Sequence, residues 1–124
     1  RSPGADDRFR FAEACRYAGE LLCQLAPTLE AFSCRVYHRD VTPRNILLDE
    51  RRGTNGRMMP HFSLVDFGLA VDAAQWRSEE QCARDLGGDG RYWPASAWLV
   101  FSHGAEELDK HQALRHEYRT CLDV

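Results

Sequence analysis

What the chain lacks narrows its class first. It has no apolar run long enough to cross a bilayer. It has no positively charged leader followed by an apolar stretch. With 16 Lys and Arg against 19 Asp and Glu, the formal net charge is −3, so no broad basic field favours nucleic acid. Cys15, Cys23, Cys34, Cys82 and Cys121 form an odd set without a Cys-x-x-Cys pair, which argues against a zinc site or a disulfide framework. Free or buried thiols in a reducing, intracellular (cytoplasmic) compartment are the expectation. His111 and His116 are poorly spaced for one helical face and read as surface residues. No repeat, no low-complexity tract and no Gly-x-Gly-x-x-Gly is present. The 124 residues suit one small domain or part of a larger one. A start at Arg1 without Met, and an end at Leu122-Asp123-Val124, read as a fragment.

What is present begins with an apolar stripe. Phe11, Cys15, Ala18, Leu22, Leu25, Leu29 and Phe32 step by fours and threes, which predicts one buried face of a helix. Asp6 or Asp7 is the expected cap. Pro27 predicts a kink and argues against a coiled coil. Val36-Tyr37 is a short apolar entry into the next loop. Asn45 to Leu48 and Phe62 to Val65 read as two strands of a hairpin, joined by a turn at Gly53, Asn55 and Gly56. Ala73 to Asp89 is polar and reads as a mobile surface segment. Tyr92 to Ala95 and Trp98 to Phe101 read as a return to the core. Glu106 to Cys121 predicts a helix with Leu108 and Tyr118 inward. The fold class is α+β, mainly helical, with one short hairpin.

The chemistry lies in two loops. Asp40 and Asn45 share His38-Arg39-Asp40-Val41-Thr42-Pro43-Arg44-Asn45, and Asp66 follows in Val65-Asp66-Phe67-Gly68. The predicted hairpin delivers Asp66 beside Asn45. Phosphoryl transfer to a hydroxyl needs one carboxylate to orient the nucleophile and oxygen ligands for magnesium. Magnesium takes hard oxygen ligands, usually one or two of them protein carboxylates.

These residues resemble the large lobe of the eukaryotic protein kinase family. His38-Arg39-Asp40 and Asn45 match its catalytic loop, and Asp66-Phe67-Gly68 its magnesium-binding turn. The resemblance implies that residues 1–124 are part of a kinase domain, from the helix before the catalytic loop to the start of the central helix. The small lobe, with its glycine-rich loop and strand Lys, would lie upstream. Asp40 would accept or orient the substrate hydroxyl proton, with Arg39 and His38 beside it. Asn45 and Asp66 would bind Mg2+, and Leu47 would lie under the adenine of ATP. His38 and Phe67 would belong to a stacked apolar spine. Asp123 would hold the catalytic loop through backbone hydrogen bonds. A protein hydroxyl would be the acceptor, serine/threonine rather than tyrosine.

Departures accompany the match. Many kinases carry Lys two residues after the catalytic Asp, touching the transferred phosphate. Thr42 stands there and brings no charge. Gly88 to Ser96 resembles the end of the activation segment, with Asp89 in place of Thr and Ser96 in place of Glu, so the family's Glu–Arg ion pair cannot form from Ser96. The stretch from Ser96 to Asp123 is longer than usual. These changes sustain an alternative, a pseudokinase acting as a binding or scaffolding module. A small-molecule kinase of related fold is disfavoured by Arg39. Arg39 is expected to pair with an anion, either a phosphate on Ser78 or the carboxylate of Glu79, Glu80 or Asp85. Arg44 is expected to disfavour basic substrates.

Overall fold

The computed structural model describes residues 4–78 and 86–123. Glu79, Glu80, Cys82 and Asp85 lie outside the described residues. Helix α1 spans Ala5–Phe32. Gly4, not an aspartate, stands at its N-cap, in extended conformation and without a side-chain cap. Asp6 and Asp7 lie in the first turn, where carboxylates meet the positive end of the helix dipole. The helix continues past Pro27.

The apolar stripe of α1 is buried only in part. Leu25 and Leu29 are buried, whereas Phe11 and Leu22 are 72% and 66% exposed and Phe32 is also exposed. Cys15 and Ala18 are exposed too. The reason is where the hairpin reaches. Strands β2 (Ile46–Arg52) and β3 (Met58–Leu64) pair antiparallel, from Ile46 opposite Leu64 to Arg52 opposite Met58. Gln24 joins β3 to the C-terminal half of α1. Its Nε2 donates to Pro60 O at 2.9 Å, and its Oε1 accepts from Phe62 N at 3.0 Å. A side-chain amide carries both donor and acceptor, so Gln24 serves as one more rung on the outer edge of β3. Pro60 is tolerated there because an edge strand can spare an N–H.

Both strands extend further toward the turn than expected, because the charged run Asp49–Arg52 continues β2 as an exposed ribbon. Gly53 N donates to Arg57 O at 2.8 Å in the turn, and Gly56 has φ 76°, a left-handed conformation that suits glycine. A second ribbon pairs β1 (Val36–Tyr37) with β4 (Val71–Asp72), Val36 opposite Asp72 and Tyr37 opposite Val71. It closes the base of the excursion that carries both loops.

The main core lies on the other side of that ribbon. Tyr37, Ala73, Trp76, Ala97, Val100, Leu108 and Tyr118 form one buried cluster. It gathers α2 (Ala73–Ser78), α3 (Ala95–His103), a 3-10 turn (Ala105–Lys110) and α4 (Gln112–Thr120). The segment read as polar surface therefore begins with a helix whose Ala73 and Trp76 are buried. Trp76 Nε1 donates to Tyr118 O at 2.9 Å, and Tyr37 Oη donates to Arg119 O at 3.1 Å. The single helix expected from Glu106 to Cys121 is divided at His111, but Leu108 and Tyr118 do face inward. In α3 the small Ala97 and Val100 are buried while Trp98 and Phe101 are exposed, so that apolar run enters the core on one side only. The rings of Trp93, Trp98 and Phe101 instead pack edge-on against one another, 5.4–5.7 Å apart.

His111 and His116 are exposed, as read from their spacing. Cys15, Cys23 and Cys34 are exposed and free, and Cys121 is free and half-buried. Among the described residues no helix is long and apolar enough to cross a membrane.

Candidate active site

The loop after β1 is tied down from below. Asp123 accepts from the backbone N–H groups of both His38 and Arg39, the latter at 2.7 Å. Those two amides would otherwise be left without partners in a poorly hydrated place. His38 is 2% exposed. Its Nδ1 accepts from Asp40 N at 3.3 Å and its Nε2 stands 3.0 Å from Val65 O. A carbonyl can only accept, so this network assigns the proton to Nε2. His38 thereby links the two loops. Its ring also meets Phe67 at 4.7 Å between centroids, and Phe67 meets Phe32 of α1 at 6.3 Å.

Asp40 is held at both carboxylate oxygens. Asn45 Nδ2 donates to Asp40 O at 2.9 Å and to Asp40 Oδ2 at 2.8 Å. Asp89 N donates to Asp40 Oδ1 at 3.1 Å. Asn45 is positioned by a 3-10 turn (Pro43–Asn45) and by the start of β2. Its backbone O accepts from Val65 N at 2.9 Å, so the hairpin register sets Asp66 one residue beyond a bond to Asn45. Among the described residues, Arg39 (φ 67°) and Asp66 (φ 63°) are the non-glycine residues with positive φ. Such conformations cost about 1–3 kcal/mol each and cluster where a site needs them.

Asp66 is exposed, with Oδ1 accepting from Gly68 N at 3.2 Å. Since the Asn45 amide nitrogen is committed to Asp40, its carbonyl oxygen is the atom left for an incoming cation. One carboxylate and one amide oxygen are a donor set that suits magnesium when phosphates and water complete the shell. Among the described residues no group of three or more His, Cys, Asp or Glu could hold a metal by itself. Leu47 lies on β2 opposite Ser63 and is exposed.

Two candidates face the helical core instead. The Arg39 guanidinium stacks on Trp76, 4.7 Å from the ring centroid. Thr42 is 2% exposed, and its Oγ1 is buried without a hydrogen-bond partner. It lines a cavity of about 300 Å³ that Asp40 and Asp89 also border, with Arg39, Trp76 and Trp93. The Thr42 hydroxyl is thus buried beside that cavity.

Some contributors carried no sequence signal. Asp89 acts through its main-chain N–H, which any residue but proline has. Its carboxylate takes Arg91 Nη2 at 2.6 Å and Arg44 Nη2 at 3.3 Å. The hydrogen bonds from Arg91 hold this carboxyl well below its ordinary value, at about 2. Arg44, expected to disfavour basic substrates, is paired with Asp89. Glu117 of α4 accepts from Ser96 N at 2.9 Å. It thereby caps the start of α3.

The chain is similar to serine/threonine-protein kinase PKH3 of Eremothecium gossypii, with 38% identity over 81 residues. That stretch is 64% of this chain and 9% of the relative. No protein-family model matches the chain. No solved structure matches it.

Proposed function

We propose that this chain is the catalytic-loop part of an ATP-dependent protein kinase, which transfers the γ-phosphoryl group to a protein hydroxyl, of the serine/threonine type. The observation that carries the reading is the held carboxylate of Asp40, bonded to Asn45 at 2.8 Å, with Asp66 brought next to Asn45 by the Val65 bond. Similarity to a serine/threonine kinase over 81 residues supports it.

In this reading Asp40 receives or orients the proton of the acceptor hydroxyl. A carboxylate has room for that hydrogen bond besides the two it already accepts. Asn45 and Asp66 hold Mg2+, which supplies charge neutralisation at the phosphates when bound. Leu47 offers an apolar surface to the adenine. His38 keeps the two loops in register through Val65 O and Phe67. Arg39, stacked on Trp76, ties the loop to the helical core. Thr42 packs the loop from inside, and the reading gives it no phosphate contact. The alternative, a kinase-like fold kept for binding or scaffolding, draws on that buried, uncharged Thr42.

Mutation of Asp40 separates the two. In the full-length protein Asp40→Asn keeps the shape but cannot take a proton, and turnover with radiolabelled ATP should fall by about 10²–10⁴-fold. ATP binding should stay near normal. Asp66→Asn should weaken magnesium-dependent ATP binding instead. Full turnover in Asp40→Asn would overturn the role given to Asp40, and no turnover in the unaltered full-length protein would favour the scaffolding alternative.

A further inference from the structure

Asp40 has two restraints of different origin. Asn45 comes from its own loop, but the second donor, Asp89 N, comes from 49 residues away. That approach requires Gly88. It has φ 81°, and a Cβ there would collide with Arg39 O and stand 3.2 Å from Asp40 Oδ1. Only a residue without a side chain lets this backbone reach the loop. The segment is then pinned at both ends. Trp93 Nε1 donates to Gly87 O at 2.8 Å. Asp89 Oδ1 accepts from Arg91 N at 3.1 Å and from Arg91 Nε at 3.0 Å, and Oδ2 takes both Arg91 and Arg44.

We infer that the Gly88–Asp89 peptide, clamped by Arg91 and Arg44, is a positioning element that fixes the plane of the Asp40 carboxylate for the incoming hydroxyl. The inference rests on the kinase reading and adds a residue to it. Asn45 bonds Oδ2 and leaves the carboxylate free to swing about that contact. A donor on Oδ1 from a separate element removes the swing. The clamp explains why an acidic residue is useful at position 89. Its carboxylate caps the 3-10 turn Gly90–Tyr92 while its amide faces the other way, toward Asp40. A misplacement of about 1 Å can cost about a hundredfold in rate, so an oriented amide at this point is worth having.

The amide and the carboxylate of Asp89 can be tested separately. Asp89→Ala keeps the N–H and loses the clamp. Asp89→Pro loses the N–H as well, and the native φ of −85° is close to what proline adopts. Steady-state kinetics are measured in the full-length protein beside wild type and Asp40→Asn. Relative to Asp89→Ala, Asp89→Pro should show kcat lower by about tenfold to a hundredfold, with KM for ATP unchanged and the same thermal midpoint. Asp89→Asn, which keeps the amide and acceptors for Arg91, should recover most of the rate. Pro and Ala variants that both keep the wild-type kcat, with Asp40→Asn inactive, overturn the positioning role and leave the kinase reading intact. Full activity of Asp40→Asn defeats the role given to Asp40, and absence of phosphoryl transfer by the wild type defeats the kinase reading itself. Should the Pro variant not fold, Arg91→Ala decides, since its side chain is 74% exposed. A lower kcat at constant KM for ATP supports the inference, and unchanged kcat overturns it.

Discussion

Helix α1 with the hairpin, and helices α2 to α4, support the same loop by different means. On the hairpin side, among the described residues, only Leu25, Leu29 and Pro60 are buried, and Gln24 holds the edge of β3 by hydrogen bonds. On the helical side Trp76 and Tyr118 are nearly inaccessible and their rings lie 5.4 Å apart. The division of labour follows. Backbone register on the hairpin places Asp66 relative to Asn45. Packing on the helical side places Asp40 through Asp123 and Asp89. Hydrogen-bond register is directional but adds little net stability per bond, whereas aromatic burial adds much but is indifferent to direction. A site needing both strength and orientation sits where the two meet.

The contrast can be broken by deletion on either side. Trp76→Ala removes a buried ring, its bond to Tyr118 O and the platform under Arg39, and should cost about 3–5 kcal/mol in urea denaturation. Against a typical domain stability of about 5–15 kcal/mol, that is the largest effect expected. Leu25→Ala on the hairpin side should cost less, near the lower end of about 2–5 kcal/mol. Equal losses would erase the distinction between the two supports.

Next comes Asp123→Ala. It leaves the amides of His38 and Arg39 without acceptors and should cost about 2–3 kcal/mol. Its signature is local: faster hydrogen exchange at those two amides, with β2 and β3 unchanged. Exchange that rises equally in the hairpin would mean the two supports are one cooperative unit. Gln24→Ala should cost about 1 kcal/mol and be seen as faster exchange at Phe62.

The smallest effect is a pH dependence at the clamp. The Asp89 carboxyl is held at about 2, below its ordinary 3.8, by hydrogen bonds from Arg91. A lowered value means that the stabilisation is fully present above the ordinary value and is lost as the pH falls through about 2. A carboxyl carbon titration by NMR should therefore show a midpoint near 2. A midpoint near 3.8 would mean that the clamp does not form in solution.

Much of the site was legible because its information is short in range. The hairpin could be read from two apolar stretches and the Gly53–Gly56 turn, and it carries Asp66 to Asn45 as expected. The inward faces of Leu108 and Tyr118 were legible as well. Other parts were not. Trp76 lies in a polar stretch, and one aromatic residue there gives no periodic signal. The α1 stripe looked like a single buried face, yet burial depends on what packs against it, and β3 meets only the C-terminal half of the helix. Thr42 has the same composition whether it faces a phosphate or a cavity.

The amino-acid sequence by itself determined the local order of the chain: a long amphipathic helix, a loop with Asp40 and Asn45, a hairpin, and a turn with Asp66. Propensity, turn chemistry and short spacing act within a few residues and need no partner. Only the tertiary structure decided how Asp40 is held. Asp89 meets Asp40 across 49 positions, whereas the hold of Asp123 on the His38 backbone, across 85, is implied by the resemblance. A main-chain N–H leaves no trace in the residue type that carries it, and such contacts exist only once packing has brought distant segments together.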